Sequence, residues 1–401
     1  MRVLLLLFLV LSGSLFSQGN NWRELNDFLG GQRERAVAFA IGDFGYLGTG
    51  LDTAEQVRKD LWRYDPTTDS WTQMADLPGP ARRDAIGFAA GGKGYIGLGV
   101  DNQVSILGNK MQDLWEFDPI LNSWLQKADY PGGGGNGAFF STVFVAQEKA
   151  FVCGGKIGPN LYINQLWEYK PSADAWTERA PFPGGVRYLA ASFSIDGEGY
   201  VGMGANQDVY KKDFYKYNPG SNTWSTIAPF PAYERGSACA FSLNGRGYVC
   251  LGTNGGLLDD LIEYNPATNT WAIRANYGGS ARKNAVAFVV NDKAYVGTGK
   301  GYSGKRRGMQ EYSHVDYTSL LESELNPLLV YPNPTNGAVY LNESVGENSK
   351  ITIFDLLGNL ILEAAVNSQK INLDDLPKGN YILKLLSDEN VERTTTIIKI
   401  E

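Results

Sequence analysis

Five arginines recur at one position of a repeating pattern, and they are the residues with the clearest chemical potential. Each stands six residues before a phenylalanine, and Ala138 takes this place in the third unit. The five are Arg33, Arg82, Arg187, Arg235 and Arg282. A planar guanidinium can hold a carboxylate through two parallel hydrogen bonds. Two interpretations follow: several arginines converge on an anionic ligand, or each pairs locally with a carboxylate or carbonyls.

Carboxylates and tyrosines near these arginines extend the possible chemistry. Glu34 and Glu234 adjoin Arg33 and Arg235, and are candidates for acid–base catalysis. Tyrosines fall in the neighbouring loops, and exposed tyrosines beside arginine suit a sugar or peptide surface. They are Tyr162, Tyr188, Tyr210, Tyr233, Tyr277 and Tyr302. We include Tyr188 and Tyr233 with the arginines as ligand-binding candidates, although each tyrosine could equally pack within its loop.

The composition excludes several function classes. The chain has 401 residues but a single histidine, His314, and only 3 cysteines. Catalysis by a Ser-His-Asp or Cys-His arrangement and a zinc site of Cys and His therefore lack their residues, and we expect no metal and no cofactor. The formal net charge is -7, so we expect no nucleic-acid partner.

The N-terminus has the features of a signal peptide over residues 1–17. Arg2 precedes an apolar run from Val3 to Leu11, and Ser17 offers a small residue for cleavage. The alternative is a buried N-terminal strand. No later segment is long and apolar enough for a transmembrane helix, so we expect an exported chain without a membrane span.

The elements that position the arginines repeat six times. Tryptophans separated by 49, 53, 52, 48 and 47 residues mark the period: Trp22, Trp71, Trp124, Trp176, Trp224 and Trp271. Each unit contains four short β-type segments with turn residues between them, a pattern typical of a β-propeller. The fold class is therefore all-β. Trp22 precedes the first unit, and the sixth unit lacks its Trp, so we predict that the N-terminal strand completes the last blade.

The units resemble kelch repeats over Asn21 to Tyr312. The resemblance rests on the initial Arg, a Gly-Tyr-x-Gly element, a Tyr-Asp-Pro turn such as Tyr64-Asp65-Pro66, and the closing Trp. It implies a six-bladed propeller over residues 20–315, with the arginines near the mouth of the central channel. The Gly-rich segment from Pro131 to Gly137 is expected to open the rim at the third blade.

The spacing within each unit predicts the register of one hairpin. Phe39 and Tyr46 are seven apart, as are the equivalent residues of the other units, which leaves two residues at the tip. Gln147-Glu148 is the one tip that does not suit this turn, and we expect a looser loop there. The same register places Cys239 opposite Cys250, either as a disulfide or as two buried thiols, with Cys153 in the core.

A separate module follows a linker at residues 316–326. Residues 327–401 alternate apolar residues with Gly and Pro, which favours a small antiparallel β-sandwich. The segments Tyr331-Pro332-Asn333-Pro334 and Leu376-Pro377-Lys378-Gly379-Asn380-Tyr381 resemble the C-terminal sorting domain of the type IX secretion system of Bacteroidota. The resemblance implies passage through the periplasm, recognition by the secretion machinery, and release or attachment at the outer cell surface. The alternative is an accessory carbohydrate-binding-like sandwich.

Three functions are compatible with these features. The first is a monomeric, exported binding module that recognises an anionic or carbohydrate ligand, or a protein partner, at the Arg-lined channel mouth. The second is an enzyme, because six-bladed exported kelch proteins include sialic-acid mutarotases, and Glu34 and Glu234 would then be catalytic. The third is a structural surface protein. We expect binding rather than catalysis. The fold itself does not decide between these functions, since one fold serves many.

Overall fold

Residues 20–101, 109–314, 328, 330–341, 349–355, 360–366, 368–387 and 392–400 are described in a computed structural model. The predicted signal peptide and linker lie outside these residues. The chain divides into two units, Met1–His314 and Val315–Glu401. Each unit is described by itself below.

Six four-stranded antiparallel sheets, the blades, form the first unit. In the innermost strand of blades 1 and 2, buried and partly exposed residues alternate. Side chains of a strand point alternately to its two faces, which gives this period of two. Blade 1 contains Val37–Ile41, Phe44–Gly48, Leu61–Asp65 and Ser70–Gln73. Blade 2 contains Ile86–Ala90, Lys93–Gly97, Leu114–Asp118 and Ser123–Lys127. Blade 3 contains Thr142–Ala146, Lys149–Gly158, Leu161–Lys170 and Ala175–Arg179.

The remaining three blades complete the circle. Blade 4 contains Ala191–Ile195, Glu198–Gly202, Phe214–Asn218 and Thr223–Thr226. Blade 5 contains Cys239–Leu243, Arg246–Cys250, Leu261–Asn265 and Thr270–Ile273. Blade 6 contains Val286–Val290, Lys293–Gly297 and Met309–His314, and takes Asn20–Glu24 as its outer strand. The predicted closure is confirmed, because Trp22 lies opposite Tyr312 in an antiparallel pair.

Short elements connect the strands. Among the described residues, three two-stranded pairs lie in the loops: Arg33–Glu34 with Leu51–Asp52, Ala205–Asn206 with Val209–Tyr210, and Lys300–Gly301 with Gly304–Lys305. The helical segments are Gly132–Gly135 and the 3-10 turn Pro171–Ala173. Gly133 and Gly134 have φ of 65° and 70°, so the glycine-rich segment before blade 3 is a left-handed turn rather than a regular helix.

The predicted hairpin register is confirmed in all six blades. Phe39 lies opposite Tyr46, and the two rings stack at 5.6 Å and 13°. The equivalent pairs are Phe88–Tyr95, Phe144–Phe151, Phe193–Tyr200, Phe241–Tyr248 and Phe288–Tyr295. The looser tip expected at Gln147-Glu148 is wrong. Both residues are left-handed, with φ of 53° and 58°, and the Glu148 carboxylate accepts a hydrogen bond from Gly91 N at 2.5 Å, which holds the tight turn against blade 2.

Blades 2 to 5 are each joined to the preceding blade at the outer edge by hydrogen bonds of a tryptophan and an Asx side chain. In blade 3, Trp176 Nε1 donates to Ala128 O at 2.8 Å, and Asp174 Oδ1 accepts from Ala128 N at 2.9 Å and from Tyr169 OH at 2.8 Å. Asn122, Asn222 and Asn269 take the Asp174 position in blades 2, 4 and 5. Trp22 continues the series, because its Nε1 donates to Ala275 O at 3.0 Å.

Small residues line the central channel. The innermost strands surround a cavity of about 200 Å³ with side chains such as Ala38, Ala190 and Ala240. Cys239 lies opposite Cys250, as the register predicted, and both are buried free thiols, as is Cys153.

The described residues of the second unit form two sheets with a common apolar core. One sheet orders Val330–Tyr331, Ala338–Leu341 and Lys370–Asn372; the other orders Leu360–Ala365, Lys350–Asp355, Gly379–Leu386 and Glu392–Lys399. Val339 of the first sheet and Ile353 and Leu383 of the second are fully buried in one cluster. The predicted small β-sandwich is therefore confirmed.

Candidate functional site

Four of the five recurrent arginines are buried in ion pairs within their own blades. Arg187 is 1% exposed, and its two terminal nitrogens donate to Asp213 Oδ1 and Oδ2 at 2.7 and 2.8 Å. The same bidentate pair joins Arg33 to Asp60, Arg82 to Asp113 and Arg235 to Asp260. The expectation that these four arginines converge on a ligand is wrong, because each guanidinium is already held by a carboxylate of its own blade. The local-pair interpretation is the one that the structure supports.

The fifth arginine differs from the other four. Arg282 is also buried, but its nitrogens donate to oxygens of the loop and backbone and to no carboxylate: Ser280 O at 2.9 Å, Thr298 O at 3.0 Å, Ser280 Oγ at 3.4 Å and Gly308 O at 3.5 Å. Gly308 stands where the other blades have the aspartate. Blade 3 has neither member of the pair, since Ala138 and Gln165 occupy the two positions.

The channel mouth is formed by the residues two places after the arginine positions. We call them the mouth ring: Arg35, Asp84, Phe140, Leu189, Ser237 and Asn284. Their backbones form a closed circuit in which each N–H donates to the carbonyl of the preceding blade's member, at 3.0 to 3.2 Å. All six are left-handed, with φ between 53° and 60°. The backbone repeats around the ring, whereas the side chains do not.

The mouth-ring side chains border a cavity of about 170 Å³ and divide it into a charged arc and an apolar arc. On the charged side, Arg35 Nη1 donates to Asp84 Oδ2 at 3.1 Å, and Arg83 pairs with the same oxygen. On the apolar side, the Phe140 ring lies 5.2 Å from the Arg35 guanidinium, and Leu189 follows it around the ring. An aromatic face next to hydrogen-bonding groups suits a ligand that is apolar on one side and polar on the other.

The charges at the mouth are balanced, and they shift the pKa values of their partners. Burial raises the pKa of the Asp84 carboxyl, against the effect of Arg35 and Arg83, which lower it. Burial would lower the pKa of Arg35, but the carboxylates of Asp84 and Glu34 outweigh it and raise that pKa. Asn284 Nδ2 donates to Glu34 Oε2 at 2.7 Å. The guanidinium groups of Arg35 and Arg83 therefore lie against the carboxylates of Asp84 and Glu34. The amide of Asn284 lies beside them.

A second cluster adjoins the apolar side of the mouth. The Lys156 ammonium lies 4.7 Å from the centroids of both the Tyr162 and Tyr188 rings. Both tyrosine hydroxyls donate to Asp208, Tyr162 at 3.3 Å and Tyr188 at closer range. Burial lowers the pKa of Lys156, with Asp208 opposing the shift. The Tyr188 ring also lies 6.3 Å from Phe140, so of the predicted tyrosines it is Tyr188 that borders the mouth.

A known family matches the C-terminal unit. Residues 329–399 match the family described as "Secretion system C-terminal sorting domain". The chain is exported. A sorting domain of this kind implies type IX secretion, to the cell surface or the medium. It also implies interaction with the secretion machinery.

A solved structure resembles the chain in its fold. The structure titled "Structure of YjhT" has a TM-score of 0.62 and 17% sequence identity, and the match covers 73% of this chain and 97% of that chain. The likeness supports a β-propeller fold and, at this identity, no ligand or activity. No curated protein matches the chain.

Of the remaining candidates, Tyr233 and Glu234 lie apart from the mouth, whereas Glu34 lies beside it and is buried. Tyr233 is 68% exposed in the loop before blade 5, and Glu234 next to it is exposed. Glu34 is 3% exposed and is held by Asn284 between blades 6 and 1. The two candidate catalytic carboxylates therefore differ in their surroundings, because Glu34 is buried between blades and Glu234 is exposed in the loop before blade 5.

Neither a metal site nor a membrane-spanning helix is found among the described residues. In this part of the chain, no three His, Cys, Asp or Glu side chains are arranged to hold a metal ion. Nor does any helix within it have the length and hydropathy to span a bilayer. His314 lies in the third strand of blade 6, 3.8 Å from Glu263 of blade 5, which is a packing position.

Proposed function

We propose that the propeller is a binding module that holds a carbohydrate at the mouth ring. The observation that carries the proposal is the contrast around the ring, where a repeated backbone presents Arg35, Asp84 and Asn284 on one arc and Phe140 and Leu189 on the other. Sugar hydroxyls suit the carboxylate, amide and guanidinium, and the C–H face of a sugar suits the aromatic ring.

The charge balance favours a neutral sugar at this site over an anion. Arg35 contacts Asp84 and Glu34, and Arg83 also pairs with Asp84, so a bound anion would have to compete with both carboxylates. Phe140 and Leu189 are bulky and partly exposed at the mouth, which leaves an apolar surface for one side of the ligand.

A glycan array probed with the full mature chain tests this proposal. We expect binding that falls at least about tenfold in Phe140→Ala and in Asn284→Ala, because each removes a distinct half of the contact. Tyr233→Ala is the matched control, since Tyr233 is an exposed tyrosine outside the mouth. Loss of binding in Tyr233→Ala with binding retained in the two mouth variants would move the site to the outer loops. Absence of any glycan binding would favour the structural surface protein.

A second candidate is a mutarotase-like enzyme on the same ring. Asp84 favours it, because this carboxyl lies at the mouth and burial raises its pKa, and an acid–base group works best with a pKa closer to the working pH than that of an exposed carboxyl. Asp84 replaces Glu34 and Glu234 as the group we would test. NMR of sugar anomers, sialic acid included, should show accelerated equilibration that Asp84→Asn removes while glycan binding persists. An unchanged rate with and without the protein would leave binding as the function.

A further inference from the structure

Arg282 is held in the same pose as the paired arginines of the other blades. Its Nη1 donates to the carbonyl of Thr298, sixteen residues later, at 3.0 Å. The paired arginines make the same bond to Thr49, Leu98, Met203 and Leu251, at 2.9, 3.1, 2.7 and 3.0 Å. Its guanidinium also lies 4.9 Å from the Tyr277 ring, as Arg187 lies 5.0 Å from Phe182. The fork of Arg282 therefore points toward the place that an aspartate occupies elsewhere.

The backbone at that place is also the same from blade to blade. Thr298 N donates to Gly308 O at 3.2 Å, as Met203 N donates to Asp213 O at 3.0 Å. A Cβ added to Gly308 would meet only Asp27 Oδ1, at 3.7 Å. There is thus room for the first atom of a side chain at this position. It is also accessible, because the equivalent Asp213 and Asp260 side chains are 31% and 25% exposed.

The surroundings of Arg282 are positively charged. Burial lowers the pKa of Arg282, and the nearby Arg306 lowers it further. Lys283 and Lys300 are backbone partners in an antiparallel bridge beside it. Within the described residues no salt bridge joins these four cations to a carboxylate. Asp27, whose Oδ1 lies 3.7 Å from the Cβ position at Gly308, is paired with Arg307 at 2.7 Å. A buried guanidinium without a counter-charge is costly, which is a reason for an external anion to bind.

We propose that blade 6 binds a carboxylate group from outside the chain, in the place of the missing aspartate, with the Arg282 fork as its principal donor. The geometry that holds Asp60, Asp113, Asp213 and Asp260 suits a planar carboxylate, and the guanidinium can bind it through two bonds. Gln310 occupies the position from which Trp62 Nε1 donates to Asp60 Oδ2 at 2.8 Å in blade 1. This site is separate from the mouth ring and does not depend on the sugar proposal.

Two substitutions at one residue test the site in the full mature chain. Acetate serves as the probe of a small free carboxylate, glucuronate as the probe of an acidic sugar, and glucose and sulfate as the comparison ligands, with binding followed by ligand-observed NMR. We expect acetate and glucuronate to bind, and Gly308→Asp to weaken both by at least about tenfold, because the new side chain restores the internal pair. Gly308→Ala adds a Cβ without a carboxylate and should stay within about twofold of the parent chain.

A gain-of-site variant keeps the test decisive if Gly308→Asp folds poorly. Asp213→Gly removes the carboxylate from Arg187 in blade 4 and should create a second carboxylate site with the same preference. Glucuronate binding well above that of acetate identifies an acidic sugar as the natural source, and equal binding identifies small carboxylates. Acetate binding that is absent from the parent chain, unchanged in Gly308→Asp, or matched by sulfate would overturn the proposal.

Discussion

Two sets of positions, separated by two residues in every blade, differ in what they repeat. The arginine position carries the same residue in five blades, is buried, and in four of them is tied to an aspartate of its own blade. The mouth-ring position carries six different side chains on one repeated backbone circuit. The repeated side chains build the propeller, whereas the individual ones are free to serve a ligand. Each prediction below tests this difference, beginning with the ring closure on which both sets depend.

Deleting residues 20–25 should have the largest effect, because it removes the outer strand of blade 6. Trp22 contacts Tyr277 at 4.9 Å and Tyr312 at 5.0 Å, so the deletion should cost more than the about 3–5 kcal/mol of a single buried Trp→Ala change. Thermal unfolding by circular dichroism measures it. Arg23→Ala, which removes a pair whose arginine is 57% exposed, is the control and should cost under about 1 kcal/mol. An unchanged melting temperature after the deletion would contradict closure by this strand.

Asp113→Ala should come next, at about 3–5 kcal/mol, because it leaves the buried Arg82 guanidinium without its carboxylate. Blade 3 supplies the matched control, since it folds with Ala138 and Gln165 at these two positions. The double variant Arg82→Ala/Asp113→Gln should therefore recover much of the lost stability. Urea unfolding of both variants makes the comparison. A double variant as unstable as Asp113→Ala would mean that the pair is required beyond its charge balance.

Leu189→Asn should leave the melting temperature unchanged or raise it by the equivalent of about 1 kcal/mol. Asparagine tolerates the left-handed backbone at φ 53° better than leucine does, and the side chain at this mouth position is only partly buried. Glycan binding should weaken in the same variant. Leu251→Asn is the control: its φ is 64°, but Leu251 is 0% exposed, so burying an amide there should destabilise by about 2–4 kcal/mol. Equal losses of stability in Leu189→Asn and Leu251→Asn would contradict the proposed difference between the mouth ring and the core.

Asp174→Asn should have the smallest effect, and only in acid. Burial would raise the pKa of Asp174, but hydrogen bonds from Ala128 N and Tyr169 OH outweigh it and lower that pKa. A lowered folded-state pKa contributes stability above the unfolded value of about 3.9 and loses it as the pH falls through the folded value. The variant should match the parent at pH 7 and become the more stable near pH 3, by under about 1 kcal/mol, because Asp174 is 41% exposed. Melting curves of both proteins over pH 3–7 measure this difference. A variant that is less stable than the parent near pH 3 would contradict the prediction.

The sequence predicted the ring better than the site. Periodic aromatic residues, the seven-residue hairpin spacing and the displaced Trp22 fixed the blade count, the register and the closure, because strand pairing depends on local pattern and turn geometry. The aspartate partners of the arginines were not predicted, because in each blade the aspartate lies in a different loop from its arginine. A signal was present: Asp60, Asp113, Asp213 and Asp260 each directly precede the third strand, and blade 3 lacks both residues.

The mouth ring carried no comparable signal. Its six residues differ in type, and what unites them is a left-handed backbone and a cyclic set of hydrogen bonds between blades that are distant in sequence. Only the assembled ring brings Arg35, Asp84 and Asn284 next to Phe140 and Leu189. Repeats therefore reveal a propeller's framework from sequence, while its ligand site has to be found among the positions where the repeat varies.

The outer strand of blade 6 also sets an order in time. Residues 20–24 are among the first of the propeller to be synthesised, yet they pair with Met309–His314, and the Trp22–Ala275 hydrogen bond spans 253 residues. Contacts this distant in sequence are slow to form. Until then the strand Met309–His314 has an open edge that can pair with the corresponding strand of another molecule. A concentrated refolding mixture should accordingly contain dimers that have exchanged their N-terminal strands, and dilution should suppress them.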